Sequence, residues 1–348
     1  MLARACDRRI TYWTGWLSPE SEGMSKEVFA LKDHFRRSRI FGLSRHYEVK
    51  ASWRARYLGL NVRWYPLFRM LVPLYEAASD LHHIYGGISE WFFLRALGRR
   101  PVVITAATAD SPLPAEMYQH VRAIVVHSRE SMQDLERAGM DGGRMRLIYP
   151  GIDLERFHPV PRSPGSRFRI LFATAPNAQE HIAKKGVGLL LDAASRLPDV
   201  EFVLLWRPWG DSLPHAREMV AERALPTVRL ACELVSDMRD IYRGVDATVA
   251  PFMEALKFCP TSLVESLACG RPVLVSSRVG LGGMVQEAGC GEVFEPTAAE
   301  LCEAIERMRR QYDAYARQAR VAAERHFDLR NCVREHEDLY EEVLTCRP

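Results

Sequence analysis

Short runs of β-branched and aromatic residues alternate along the chain with longer stretches of helical periodicity, a pattern typical of parallel α/β architecture. In the first half, the pattern predicts strands at 9–13, 39–42, 81–85, 102–106 and 123–127, and helices that include 26–35 and 89–97. In the second half, it predicts strands at 169–173, 201–206, 228–231, 247–250 and 272–275, and helices at 187–196, 213–223, 238–243 and 262–268. From residue 299 the tail is predicted to be helical, with an interruption near 327–329.

The chain is longer than the size at which one hydrophobic core usually stops growing, so its 348 residues favour two domains. A loop-like stretch at 157–166 has three prolines and little periodicity, and it separates the two α/β series. We therefore predict two consecutive Rossmann-like domains, at 1–157 and 166–328. Ligands of such folds bind outside the carboxyl ends of the strands, so a cleft between the domains is the expected site.

The charge balance argues against one broad class of protein. The formal net charge is only +3, because 47 basic residues face 44 acidic ones, whereas a dedicated nucleic-acid binder concentrates positive charge on one face. The eight cysteines are spread singly, with no spacing typical of a metal site or a disulfide framework. No apolar run approaches the roughly 20 residues of a spanning helix, and none follows the basic first residues. We expect a cytoplasmic protein that binds no nucleic acid and no metal.

The segment 245–275 carries the strongest functional signal, since it predicts strand, loop, helix, tight turn and strand in succession. Pro260 suits a helix start, and the amides of Thr261, Ser262 and Leu263 would then be unpaired in the first turn. Those amides and the helix dipole suit a diphosphate, while Glu265, one turn further on, could accept hydrogen bonds from ribose hydroxyls. A capping box formed by Ser262 and Glu265, which needs no ligand, fits the same spacing.

The same segment resembles the donor motif of GT-B glycosyltransferases, in particular the large retaining family 4 type. Glu265 matches the second glutamate of that motif, and Ser-Leu-Ala-Cys-Gly-Arg-Pro-Val at 266–273 matches its Ala-x-Ala-x-Gly-x-Pro-Val tail. The stretch 123–131 resembles the last strand and serine turn of the family's N-terminal domain, and 148–157 resembles its Val-x-Pro-Gly-Ile-Asp-x-x-x-Phe motif. Lys-Gly-Val at 185–187 matches the lysine-glycine after the first strand of the C-terminal domain.

The resemblance implies a GT-B fold, in which two Rossmann-like domains face each other across a cleft and the last helix, at 329–348, crosses back to the N-terminal domain. It implies transfer of a sugar from a nucleoside diphosphate sugar to a saccharide, lipid-linked or other acceptor, with retention at the anomeric centre and without a metal or other cofactor. The N-terminal domain would hold the acceptor and the C-terminal domain the donor. In such enzymes, a donor phosphate oxygen is usually proposed to help remove the acceptor proton.

By the resemblance, Lys185 contacts the donor phosphates and would stabilise the departing nucleoside diphosphate; the alternative is a solvated lysine. The family usually has a phosphate-binding arginine just after the first strand of this domain, where this chain reads Phe-Ala-Thr-Ala-Pro at 172–176, with Thr174 and Ala175 and no arginine. Arg207, after the next strand, is a candidate substitute or an ordinary loop cation. Lys257 stands where the first glutamate of the donor motif would be, near the sugar. Gly23 lies where the family has a glycine-rich loop, although a simple turn explains one glycine equally well. We predict donor contacts at Gly23, Thr174, Lys185, Arg207 and Lys257.

Candidates for the acceptor side follow strands of the first domain. His83 and Tyr85 fall in a stretch that matches the family's Asp-x-x-His-x-His strand end, with Tyr85 in place of the second histidine. His83 could face the cleft and bind hydroxyls, or it could be packed in the core. A further family histidine, near the donor sugar, falls at Ala107, so Asp110 is the only nearby carboxylate and a candidate acceptor ligand or catalytic base. The predicted catalytic set is Lys185, Glu265 and Asp110.

Residues 54–75 mix arginines with large apolar side chains. A basic amphipathic surface of this kind could lie on anionic lipids as a peripheral membrane contact. The alternative is a core-facing helix with solvated arginines. In either case, Pro66 and Pro73 are expected to break a continuous helix.

Two other functions fit the same sequence. One is a GT-B nucleotide-sugar epimerase or hydrolase, which would use the donor without an acceptor. The other is a degenerate module that binds a nucleotide or a partner without turnover, and the departures from the family at Ala107, Ala175 and Lys257 keep it open.

Overall fold

The computed structural model describes residues 7–15, 17, 23–44, 49–87, 93–108, 121–159, 161, 167–208, 210–233, 235–255 and 259–345. The chain divides into two compact units, one of Met1–Gly151 with Arg330–Pro348 and one of Ile152–Leu329. It passes between them twice, and Ile152 and Asp328, which adjoin the two passages, form a parallel bridge. The domain limits of 157 and 166 stay predictions, because 160 and 162–166 lie outside the described ranges.

The first unit is built on a mixed sheet. Its strands are β1 (Ile10–Thr14), β2 (Arg39–Ser44), β3 (Lys50–Ser52), β4 (Tyr57–Asn61), β5 (Leu81–Gly87), β6 (Val102–Thr108), β7 (Val121–Val126) and β8 (Met145–Leu147). They lie in the order β3-β4-β2-β1-β5-β6-β7-β8, with β3 antiparallel to β4 and the other pairs parallel. Its helices in this part of the chain are α1 (Gly23–His34), α2 (Tyr65–Ala77) and α3 (Arg129–Arg137).

The second unit is built on a parallel sheet. Its strands are β9 (Phe168–Phe172), β10 (Val200–Trp206), β11 (Val228–Cys232), β12 (Ala247–Ala250), β13 (Val273–Ser276) and β14 (Gly291–Phe294), in the order β11-β10-β9-β12-β13-β14. Its helices are α4 (Val187–Arg196), α5 (Ser212–Arg223), α6 (Met238–Arg243), α7 (Thr261–Ala268), α8 (Gly282–Ala288), α9 (Ala298–Arg310) and α10 (Tyr312–His326). The last helix, α11 (Leu329–Thr345), belongs from Arg330 onward to the first unit.

Burial on both faces explains why the strands could be recognised in the sequence. In the second unit Leu171, Leu204 and Val249 are fully buried on three adjacent strands, since helices cover both sides of a parallel sheet. Each sheet also has one place where the strand order reverses, between β1 and β5 in the first unit and between β9 and β12 in the second. At such a place the loops on either side diverge and leave a crevice at the carboxyl ends of the strands.

All ten predicted strands are present, and so is the interruption of the helical tail before α11. The short strands β3, β4, β8 and β14 and the helices α3 and α8 were not predicted, although other elements of similar length were. The predicted helix at 89–97 falls partly outside the described residues, and its described part contains a single 3-10 turn at 93–95.

The expectation that Pro66 and Pro73 break the helix in the arginine-rich stretch was wrong. α2 runs without interruption from Tyr65 to Ala77. Pro66 occupies the first turn, where no helical hydrogen bond is lost. Pro73 is exposed, as is Arg69 one turn earlier, so water can solvate the carbonyl that Pro73 leaves without a donor. Within the described ranges, no helix is both long enough and apolar enough to cross a bilayer.

A buried polar network holds α11 to the first unit. The imidazole of His83, on β5, lies 2.6 Å from the Tyr340 hydroxyl through Nδ1 and 2.7 Å from the Thr105 hydroxyl through Nε2. The Tyr340 hydroxyl in turn donates to the hydroxyl of Tyr12 at 3.3 Å. The ring therefore donates from Nδ1 and accepts at Nε2, and all four side chains are fully buried.

We expect Tyr340→Phe to destabilise the protein. The substitution leaves buried polar atoms of His83 and Tyr12 without their partner, which typically lowers the free energy of unfolding by about 2 kcal/mol. Urea denaturation would measure the loss. Tyr65→Phe makes the same chemical change at an exposed position and is the matched control, with an expected loss near zero. Equal stability of the two variants would contradict a fastening role for Tyr340.

Candidate functional site

The carboxyl ends of three adjacent strands in the second unit gather most of the predicted donor residues. Thr174 lies in the loop after β9, Arg207 directly follows β10, and the loop after β12 leads to α7. Because β9 lies between β10 and β12, these loops emerge side by side where the strand order reverses. This is the crevice at which open α/β sheets bind their ligands.

Lys185 is partly buried beside an aromatic ring. Its Nζ lies 4.2 Å from the centre of the ring of Phe252, which follows β12. Burial and, to a lesser extent, the Arg207 guanidinium together lower the pKa of Lys185 to about 8. Two cations therefore lie within electrostatic reach of each other, and an anion placed between them would relieve their repulsion. A solvated loop lysine would not have this environment, so the geometry favours ligand binding.

The close approach of two backbones places Lys185 in this position. Gly186 has φ of +74°, and a Cβ there would lie 2.0 Å from the carbonyl oxygen of Pro251. The amide of Met253 donates to the carbonyl of Lys184 at 2.9 Å, which ties the loop before α4 to the loop after β12. Only glycine can take this backbone conformation at this distance, so Gly186 is a structural requirement of the loop that carries Lys185.

A second close approach fastens the Arg207 loop to the Thr174 loop. Gly210 has φ of +87°, and a Cβ there would lie 2.1 Å from the carbonyl oxygen of Asn177. The amide of Asp211 donates to the same carbonyl at 3.0 Å. Thr174 Oγ1 is buried and, among the described residues, has no hydrogen-bond partner. A ligand oxygen would satisfy this hydroxyl, since a buried polar group without a partner is costly.

The start of α7 differs in one respect from the prediction. The helix begins at Thr261, after Pro260 in an extended conformation, and no side chain caps it. The amide of Leu263 already donates to the carbonyl of Pro260 at 2.9 Å, so the prediction that this amide is unpaired was wrong. Among the described residues the amides of Thr261 and Ser262 have no backbone carbonyl partner, because the first turn of a helix provides none. The Ser262 hydroxyl is likewise buried without a partner there.

Glu265 is buried and fixed by a tyrosine that the sequence did not indicate. The hydroxyl of Tyr242, on α6, lies 3.1 Å from Oε2 of Glu265 and 2.9 Å from the carbonyl oxygen of Ser262. This geometry excludes the capping box, in which Glu265 would instead turn back to the helix start. Tyr242 therefore orients both the first turn of α7 and the carboxylate, and Phe252 plays the same part for Lys185.

Three further carboxylate or lysine positions have different outcomes. Lys257 and Asp110 lie outside the described residues, so their proposed roles stay predictions. Glu254, the nearest carboxylate before Lys257 in the sequence, forms an exposed ion pair with Lys184 at 3.1 Å. Lys184 and Lys185 are thus divided between two tasks, one on the surface and one beside Phe252.

In the first unit, the predicted acceptor residues His83 and Tyr85 lie in the middle of β5, and Gly23, a predicted donor contact, comes after β1. Gly23 begins α1, and residues 18–22 before it are outside the described ranges. Both ring nitrogens of His83 are occupied by Tyr340 and Thr105, so its geometry favours the packed alternative over a ligand contact. Tyr85 is also fully buried, with its hydroxyl 3.5 Å from Nε2 of His127.

A buried carboxyl group next to Tyr85 was not anticipated. Glu27 is enclosed on α1, and burial raises its pKa to about 7, although hydrogen bonds from Tyr85 and Cys332 oppose that rise. The sequence does contain a signal for this burial. Glu27 is four residues before the apolar Leu31, so both fall on the same face of α1, and Leu31 is buried. A charged residue on an apolar face indicates a buried polar cluster.

Within the ranges that the structure describes, no three histidine, cysteine, aspartate or glutamate side chains come together as a metal-binding group. The positive groups of the second unit that converge on the crevice are instead Lys185, Arg207 and the amides at the start of α7. This combination suits a ligand with two adjacent phosphates.

Two domain families match the sequence in succession. Residues 21–156 match the family described as Glycosyltransferase Family 4, and residues 168–311 match the family described as Glycosyl transferases group 1. Together they span most of the chain, and each falls within one of the two α/β series.

Known proteins agree with these matches. The chain is 26% identical over 261 residues to a D-inositol 3-phosphate glycosyltransferase of Mycobacterium sp. (strain KMS). The aligned region covers 69% of this chain and 54% of that protein. A protein of the same description from Mycolicibacterium smegmatis is 27% identical over 265 residues, with the same coverage. The chain thus spans about half the length of these relatives.

Solved structures show the same fold. HepE of Anabaena in complex with UDP and glucose superposes with a TM-score of 0.77 at 16% identity, over 96% of this chain and 99% of that one. A sucrose-phosphate synthase from Thermosynechococcus elongatus superposes with a TM-score of 0.77 at 17% identity, over 97% and 99%. The GT-B fold is therefore confirmed.

Gly186→Ala tests the close approach beside Lys185. A left-handed backbone costs alanine about 1–2 kcal/mol, and the clash with the Pro251 carbonyl adds to that, so we expect a loss of at least about 2 kcal/mol in the free energy of unfolding. Gly98→Ala is the matched control, because a Cβ there meets no atom within 4 Å. Denaturant unfolding would measure both variants. A Gly186→Ala protein as stable as the control would contradict the constraint.

Proposed function

Because the chain belongs to the glycosyltransferases that join a family 4 domain to a group 1 domain, we propose that it transfers a sugar from a nucleoside diphosphate sugar to a saccharide or lipid-linked acceptor. The observation that carries the proposal is the crevice at the carboxyl ends of β9, β10 and β12. There Lys185 lies against Phe252, close enough to Arg207 for its pKa to be affected. A diphosphate carries two negative charges and would be attracted to this pair of cations.

The donor would be held by three kinds of contact in the second unit. The amides of Thr261 and Ser262 and the dipole of α7 would receive one phosphate, since helix starts are suited to anions. Lys185 and Arg207 would approach the phosphates from the other loops. Glu265, held by Tyr242, would accept hydrogen bonds from ribose hydroxyls. The hydroxyls of Thr174 and Ser262 are further polar groups with capacity for a ligand.

The same contacts would assist the reaction. As the bond between the sugar and the diphosphate breaks, negative charge accumulates on the departing phosphate oxygens. A partly buried lysine and a helix dipole stabilise that charge more than they stabilise the intact donor, which lowers the barrier. This account needs no side-chain nucleophile, and it agrees with a retaining reaction in which a donor phosphate oxygen helps remove the acceptor proton.

We expect Lys185→Met and Glu265→Gln to lose donor-dependent transfer. Removal of one charge-assisted contact costs about 2 kcal/mol, so affinity for a nucleoside diphosphate should fall about thirtyfold in Lys185→Met. Calorimetry with uridine, guanosine and adenosine diphosphates, followed by product analysis with their sugars, would measure binding and transfer separately. Lys184→Met changes the adjacent lysine, which pairs with Glu254 on the surface, and should behave as wild type.

The outcomes separate the proposal from its alternatives. Wild-type transfer in both the Lys185 and the Glu265 variants would refute the site assignment. Binding of a nucleoside diphosphate without turnover, over the whole panel of donors, would identify a binding module. Altered or hydrolysed donor without any acceptor product would identify an epimerase or hydrolase.

Donor binding should weaken at alkaline pH. Lys185 in the free protein loses its proton as pH rises through about 8, and the neutral amine cannot neutralise a phosphate. The dissociation constant should therefore be steady below that pH and rise by up to about tenfold per unit above it. Lys185→Met should bind weakly without this alkaline limb, whereas Lys184→Met should retain it. An identical pH profile in wild type and Lys185→Met would contradict the assignment of the titrating group.

A further inference from the structure

α2 is apolar on two opposite faces. One face packs into the first unit through Phe68 and Val72, which are buried. The opposite face presents Leu67, Met70 and Leu74, whose side chains are 39%, 74% and 64% exposed. Their spacing of three and four residues puts all three in one stripe along the helix. This stripe contributes nothing to the described core, and large apolar side chains in one exposed row are unusual on a soluble surface.

The surroundings of the stripe are aromatic and basic. Trp64 and Tyr65, at the start of the helix, are 45% and 41% exposed. Residues 49–75 contain five lysines and arginines and no aspartate or glutamate, in a chain whose overall charge is nearly balanced. Arg63 and Arg69 are exposed on and next to the helix. Tyr65 stacks on the buried Phe68, on the other side of the helix from the stripe. We refer to Arg63, Trp64, Leu67, Arg69, Met70 and Leu74 together as the α2 surface.

We propose that the α2 surface docks on an anionic lipid bilayer. The charge favours this occupant, because the exposed Arg63 and Arg69 complement anionic headgroups while the apolar stripe enters the headgroup–acyl boundary. Arg56, in the same segment, is instead paired with Asp33 at 3.6 Å. The half-exposed Trp64 at one end suits the same boundary, where its ring can keep the indole N–H in water. The helix of 13 residues is about 20 Å long and lies along the membrane plane in this arrangement.

The docking would have a consequence for the proposed transfer. α2 belongs to the first unit, which is the predicted acceptor domain. A lipid-linked acceptor is confined to the membrane, so a surface that brings this unit to the headgroups raises the local concentration of that acceptor. This consequence rests on the proposed function, whereas the docking itself does not.

Vesicle binding tests the docking directly. The full chain would be sedimented with vesicles of phosphatidylcholine and with vesicles that also contain phosphatidylglycerol. We expect binding to the anionic vesicles only, with weaker binding as salt is raised. Arg63→Gln with Arg69→Gln should lower the partition about thirtyfold, since each arginine near such a surface accounts for about fivefold. Met70→Ser with Leu74→Ser should lower it at least about tenfold, because exposed side chains then lose their apolar contact with lipid.

A matched control lies on α10. Val321, which is 52% exposed, and Arg325 are one turn apart on that helix, so Val321→Ser with Arg325→Gln removes one apolar and one basic exposed side chain elsewhere. This variant should bind vesicles as wild type does. Thermal unfolding would verify that every variant is folded, and binding of nucleoside diphosphate, which uses the second unit, should be unchanged in all of them. Failure of vesicle binding would thus leave the proposed transfer intact.

Three results would overturn the proposal. The first is no binding to anionic vesicles, and the second is equal binding by wild type and the α2 variants. The third is self-association of the chain in the absence of lipid that disappears in the Met70→Ser, Leu74→Ser variant, which would assign the stripe to a second copy of this chain. Analytical ultracentrifugation at several protein concentrations distinguishes that last case.

Discussion

Helices cover both faces of the sheets in this protein, and that constraint limits where a ligand can bind. In the second unit, apolar side chains such as Leu171, Leu204 and Val249 are buried between the layers, which closes those parts of the sheet to a ligand. The open positions are the loops at the strand ends, and the reversal of strand order between β9 and β12 brings three of them together. The identity of the ligand then depends on a few loop residues, while the scaffold depends on many core residues.

The predicted donor crevice shows how backbone contacts decide the electrostatics of a site. Gly186 and Gly210 permit loops to approach to distances that a Cβ would forbid, and these contacts set Lys185 and Arg207 at the same sheet edge. Partial burial against Phe252 then makes the ammonium of Lys185 less stable, as its lowered pKa shows. An anion bound next to Lys185 would replace part of the water that burial removes from its ammonium group. A partly buried lysine therefore favours anion binding.

The first unit uses its polar residues differently. His83, Tyr85 and Glu27 are buried in a hydrogen-bonded cluster that joins α1, β5 and α11, so residues at the position of a family motif have become part of the packing. The exposed side of the same unit carries the apolar and basic side chains of α2. The polar residues of the motif are thus buried, whereas the motif implies ligand contacts for them. The side chains that we propose to contact lipid are exposed on and next to α2.

The sequence by itself determined the class of fold, the ten main strands and the order of the elements, because alternation of buried strands with longer helices is a local and repeated pattern. It also predicted the helix around Glu265 and the turn after it, since a proline before a helix and a glycine-proline pair after it are local signals. Only the tertiary structure decided the rest. The partner of Glu265 is Tyr242, 23 positions away along the chain, and the partner of His83 is Tyr340, 257 positions away. The burial of Lys185 and the exposure of the α2 stripe likewise depend on which elements pack against them, and one chain's periodicity does not specify that.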